Sequence, residues 1–181
     1  MNTIPLALAD VEQAFRNLEF AIRLMCYAER DHIDREKFDT DVTLVLEKEN
    51  VGFSSDTFSS LDAIILAARA NVGVAFGVSA IVLDAAFETA QITRKPESNL
   101  QGDLLRTLVF MVRSAFAHNP AMPCWEARGS YVRTLALQIE DGLINIDFSQ
   151  LNGRPFEYEH IGGLANWYRI RRAAELLIHG T

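Results

Sequence analysis

Cysteine occurs only twice in these 181 residues, at Cys26 and Cys124. That excludes a disulfide framework and leaves two reduced thiols, as in a cytosolic protein. With only four histidines, scattered along the chain, a zinc site has no ligand set. Asp39-Thr40-Asp41 offers carboxylates to a cation, but no second cluster completes an oxygen shell. No metal and no cofactor is expected. Positive charge is also short. The formal net charge of −7 excludes a general nucleic-acid coat, whose affinity comes mostly from neutralising phosphates, although a local basic cleft is still open. Val72–Leu83, the longest uncharged run near a helix, falls below the about 20 apolar residues of a bilayer span. The N-terminus MNTIPLALAD has no basic flank and meets Asp10 too soon for a signal peptide. Internal repeats and low-complexity segments are lacking as well. The expectation is one cytoplasmic domain over 1–181, with ordinary apolar and charged content for a soluble fold.

What the chain does have is strong apolar periodicity. Leu8, Val11, Phe15, Leu18, Ile22 and Met25 recur at three- and four-residue steps, predicting a helix over about 6–30. Phe20, Leu24 and Tyr27 widen that seam toward a second neighbour. Asp31–Glu36 reads as a solvated connection, and Val42–Leu46 as a brief extended segment. Ser54–Ser60 ends in serines suited to an N-cap, with Asp62 favourable in the first turn of a helix over about 61–91. Gly73 and Gly77 stand one turn apart in the middle of that helix. Each costs about 1 kcal/mol relative to Ala, so close packing must compensate, inside the chain or at a subunit interface. Ser98 or Asn99 can cap a third helix, over about 99–118.

After Gly129 the apolar period falls to two. Asp141-Gly142 fits a type I′ turn, so a hairpin is expected over about 131–148, within a small meander spanning about 130–159. A loop at those two residues pairs Ile139 with Ile144, Leu137 with Ile146 and Leu135 with Phe148. Asn152-Gly153 offers a second turn into a third strand over Arg154–Glu159. A last helix over about 163–178 supplies Leu164, Trp167, Ile170, Ala174 and Leu177 to cover the sheet. The fold class is mainly α: a helical bundle with a small antiparallel β element and a C-terminal helix.

The most informative stretch is Leu104–Pro120, LLRTLVFMVRSAFAHNP. Proline ends the helix and pushes Asn119 out of the α region. Arg113 and His118 therefore sit at a broken helix end, where His118 is expected to swing toward the Arg113 side. A guanidinium holds anionic oxygens, and an imidazole moves protons near pH 7. By chance alone about 0.3 Arg/His pairs at one spacing are expected among 14 Arg and 4 His. Context distinguishes this pair from the near-matches Arg154…His160 and Arg172…His179. Arg106, Phe110, Arg113 and Ala117 share one stripe, since seven residues are close to two turns. Two arginines there need either intramolecular carboxylates or an anion.

Arg113-Ser114-Ala115-Phe116-Ala117-His118 resembles the Arg-x4–6-His motif of HEPN helical domains, in its four-residue form. The resemblance covers roughly Leu6 to Pro120. It implies a HEPN-like bundle in which Arg113 and His118 are catalytic, with Ser114, Asn119 and Arg106 supporting them. Many members of the family are metal-independent ribonucleases, often toxins, whose dimers line one cleft with two Arg/His pairs. The resemblance thus implies a homodimer, RNA or a nucleotide as ligand, and an antitoxin-like protein partner. Other members are inactive binding or interaction modules.

Other candidates have blander readings. Cys124 follows His118 by six residues, but no third group orients a Cys/His pair, and Pro-Cys-Trp reads as a packed corner. Arg169, Arg171 and Arg172, like Arg128 and Arg133, read as a solvated face or as an RNA-guiding patch.

Overall fold

The computed structural model describes residues 3–140 and 142–180. Its elements run α1 (Thr3–Glu29), α2 (Arg35–Phe38), β1 (Val42–Val45), β2 (Asn50–Phe53), α3 (Leu61–Thr89), α4 (Gln101–Ala117), β3 (Thr134–Ile139), β4 (Gly142–Asp147), α5 (Phe148–Leu151) and α6 (Leu164–His179). The fold is mainly α, as the apolar periods imply.

α3 is the central helix. Ser60 caps it, its Oγ accepting from the Ala63 N–H at 3.2 Å. By length and composition it could cross a membrane, with a mean hydropathy of 1.8 over its most apolar window. Here α1, α4 and α6 pack around it, and 44% of that window is buried. α1 lies antiparallel to it, contributing Val11, Phe15 and Leu18 to the core. Phe20 and Tyr27, expected to widen that seam, are instead exposed. α4 also runs antiparallel, since Arg106 meets Asp84 while Phe116 lies against Gly77. α6 closes the base, where Trp167 donates to the Ser79 Oγ at 2.9 Å.

The two central glycines have different reasons. A Cβ at Gly77 would lie 2.6 Å from Phe116 Cδ1, so Gly77 serves packing within the chain. A Cβ at Gly73 would meet nothing nearer than the Pro120 carbonyl, at 4.0 Å. Gly77→Ala should therefore destabilise by about 1–3 kcal/mol through overpacking. Gly73→Ala should stabilise by up to about 1 kcal/mol, since alanine is the better helix former. Urea unfolding of the two variants checks the opposite signs.

The β3–β4 hairpin forms with one face buried, as expected: Leu135, Leu137, Ile139, Ile144 and Ile146 all point inward. Its register differs. Ile139 pairs with Gly142, Leu137 with Ile144 and Leu135 with Ile146, two residues away from the expected pairing. Gly142 belongs to the strand, and Asp141, the other half of the expected turn, lies outside the described residues. A slip of two keeps every side chain on its own face, so the burial pattern survives the error. Phe148 is buried from α5 rather than from the strand.

Two other expectations fail. No third strand forms over Arg154–Glu159: only a single bridge joins Cys124 to Pro155, and a 3₁₀ turn takes Tyr158–Ile161. Neither Ser98 nor Asn99 caps α4. Leu100 holds the cap position without a side-chain bond, and the Ser98 Oγ accepts the Leu100 N–H instead. Asn99 is held by the Arg133 guanidinium, which also donates to the Pro96 carbonyl at 2.8 Å. Finally, Val42–Leu46 is half of a hairpin whose partner, Asn50–Phe53, the sequence reading left out.

Candidate functional site at the end of α4

The end of α4 is built by its stop. Pro120 cannot continue the helix, and the Asn119 Oδ1 accepts from the Ala121 and Met122 N–H groups at 3.1 and 3.3 Å, folding the chain back. Cys124 then donates its N–H to the Ala115 carbonyl at 3.2 Å, giving one helix-end carbonyl that lacks an intrahelical donor a partner. The next residues are fixed against the 151–156 segment. Trp125 is fully buried and donates its N–H to the Arg154 carbonyl at 2.9 Å, while its carbonyl accepts from Gly153 at 2.8 Å. Its indole donates to His160 Nδ1 at 3.0 Å. Ala127, also buried, donates to the Asn152 Oδ1 at 2.9 Å. Glu126, between these two, points outward.

The two arginines of the α4 stripe have separate fates. Arg106 is completely buried. Its guanidinium binds Asp84 and Glu88, its Nε donates to the Ile92 carbonyl at 3.1 Å, and its plane covers Phe87. Arg106 therefore takes the carboxylate option and is closed to any ligand. Arg113, two turns on, has a side chain 41% exposed and, among the described residues, one long ionic contact, Nε to Asp84 Oδ2 at 3.9 Å. Ser114 beside it is half-buried.

His118 caps α4 with helical angles, φ −94° and ψ −37°. Helical geometry thus carries through to His118, and five steps of about 100° leave its side chain on a different face from that of Arg113. It is 76% exposed, and its Nε2 lies 3.6 Å from Glu126 Oε2. Arg128 approaches the same carboxylate, at 4.0 Å. Arg113 and His118 share one end of the bundle but face different acids, and among the described residues no hydrogen bond or ion pair joins them. The swing of His118 toward the Arg113 side does not occur in the single chain.

The other candidates are largely engaged. Arg169 and Arg172 pair with Glu140 at 3.6 and 2.8 Å, and Arg171 pairs with Glu175 at 2.6 Å while lying over Phe15. Asp39 accepts from the Thr57 and Phe58 N–H groups, and Asp41 from Ser55 at 2.6 Å. That Ser55 bond holds the Asp41 carboxyl below its usual range. These aspartates fasten a loop. Among the described residues no group of three or more His, Cys, Asp or Glu is placed to hold a metal ion. Cys124 is an exposed free thiol, and its Sγ lies 3.7 Å from the Met122 carbonyl.

The sequence reading missed the two acids that Arg113 and His118 face, Asp84 and Glu126. Asp84 could have been flagged as the charge that interrupts the apolar run of α3, between Leu83 and Ala85-Ala86-Phe87. Glu126 carries no comparable signal, because loop folding alone brings it to His118. No protein-family model, curated protein or solved structure matches this chain.

Proposed function

We propose that this chain is a HEPN-like, metal-independent endoribonuclease that acts as a homodimer in the cytoplasm. The reading rests on the contrast along α4. Arg106 is spent on the core, while Arg113 and His118 are left accessible at the helix end, carrying the two functions RNA cleavage needs. RNA supplies its own nucleophile in the 2′-OH, so no metal is strictly required. His118 takes or returns the proton, and Arg113 stabilises charge on the phosphoryl oxygens.

Because Arg113 and His118 face different ways in one chain, the cleft needs a second copy. α3 offers the surface for it: Ala67, Ala70, Val74, Val78, Ile81 and Ala85 form an exposed apolar stripe at steps of three and four. Asp84, which Arg113 approaches, lies one residue from Ala85. An isologous contact along this stripe would set two Arg113/His118 pairs at one seam.

The test is cleavage of single-stranded RNA by purified protein in the presence of a chelator, at a concentration where light scattering reports a dimer. The expected products end in 2′,3′-cyclic phosphate or its hydrolysis product, and DNA of the same sequence stays intact. Metal-dependent cutting, or cutting of DNA, would overturn the reading. The long approach of Arg113 to Asp84 favours a second reading: a non-catalytic module that binds RNA or a nucleotide, or docks an antitoxin-like protein. It predicts RNA binding that is lost in Arg113→Ala, with no cleavage by the wild type.

A further inference from the structure

We propose that Glu126 is a positioning residue for His118, holding the imidazole and stabilising its charged form at the moment it accepts a proton. The inference rests on the nuclease reading above. Glu126 Oε2 lies 3.6 Å from His118 Nε2, and the two side chains come from separately fixed elements. His118 is set by the end of α4, which the Cys124 N–H ties to the following loop at the Ala115 carbonyl. Glu126 is set by its buried neighbours. Trp125 and Ala127 point inward with their backbones bonded to the 151–156 segment, so alternation along the extended chain forces Glu126 outward. The two backbones are therefore fixed, and only the rotamers of Glu126 and His118 are left to order when the pair forms.

The chemistry follows from this placement. When the 2′-oxygen attacks phosphorus, the new O–P bond forms and the 2′-OH proton passes to one His118, while the bond to the 5′-oxygen breaks and that oxygen, leaving with the electron pair, takes a proton from His118 of the partner subunit. The imidazolium so formed lies beside a carboxylate, which favours it. The carboxylate faces Nε2 and so leaves Nδ1 as the open nitrogen. Arg128 approaches the same carboxylate, at 4.0 Å against 3.6 Å for His118.

The experiment compares Glu126→Gln with wild type in steady-state RNA cleavage, alongside urea unfolding. Glutamine keeps the shape and removes the charge. The expected result is kcat lower by about three- to tenfold, with KM within twofold and an unfolding midpoint within error of wild type, since an exposed charge pair adds little to the fold. Glu126→Asp, which restores the charge, should recover part of kcat. Unchanged kcat in Glu126→Gln, with an active wild type, overturns this inference and leaves the nuclease reading standing. A wild type that does not cut RNA overturns both. A fall in kcat that tracks a lowered midpoint would assign Glu126 to the fold instead.

Discussion

Replacing His118 by alanine is expected to lower RNA cleavage by about 10²–10⁴-fold, the range a positioned general acid or base supplies. The urea midpoint should stay within error of wild type, because His118 is 76% exposed and anchors nothing in the core. Alanine has no titratable group, so it can neither take nor return the proton. Arg113→Lys tests the other half of the pair. Lysine keeps the charge but loses the planar fork that grips two phosphate oxygens, so cleavage should fall by at least about tenfold. Stability should again change little, since the approach of Arg113 to Asp84 is long and its side chain is 41% exposed. Cleavage that persists unchanged in both variants would come from a contaminant or from another site, and would remove Arg113 and His118 from the chemistry.

Arg106→Leu should behave in the opposite way, losing about 3–5 kcal/mol of stability. Arg106 is fully buried, and removing its charge leaves Asp84, 8% exposed, without its main cation. Glu88 is half in solvent and adds little to the loss. The Ile92 carbonyl and the face of Phe87 lose a partner too. Against a typical total stability of about 5–15 kcal/mol, the loss is large enough to unfold a marginal domain. Adding Asp84→Asn to Arg106→Leu should recover part of it, because the uncompensated charge is then gone. Urea unfolding of the two single variants and the double variant measures this coupling. If Arg106→Leu unfolds at the wild-type midpoint, the buried pair is not what holds α3 to α4. Loss of RNA cleavage in this variant would follow its unfolding, which separates it from His118→Ala.

The difference between Arg106 and Arg113 was not legible in the sequence. A seven-residue spacing puts both on one face of α4, but how deep each sits depends on where α4 crosses α3. That crossing is set by non-local contacts such as Gly77 against Phe116. Local signals fared better. Ser60 announces the start of α3 because a serine hydroxyl before an apolar run satisfies a free N–H within three residues. The β3–β4 faces were readable because alternation is a local pattern. The register was not, because Gly142 serves equally well in a turn or in the first strand position after it. The failed third strand has a similar cause: Trp125 bonds Arg154 and Gly153, so the segment after Asn152 pairs with the loop beyond α4 rather than with β4. At the site, the end of α4 before Pro120 was legible, and so was the presence of Arg113 and His118 in its last turns. Their acidic partners were not.

The two hairpins differ in what their opening would cost. β3–β4 buries five large aliphatic side chains, so its amides can exchange with solvent only when the core itself opens. β1–β2 buries none: Val42, Leu44, Val45 and Phe53 are all exposed, and a lone two-stranded ribbon is marginal in water. The chain between α1 and α3 can therefore rearrange at almost no cost to the bundle. This stretch forms a low-energy unit of local unfolding, fastened at its base by Asp39 and Arg35 and presenting an unpaired apolar strand edge to whatever the protein meets.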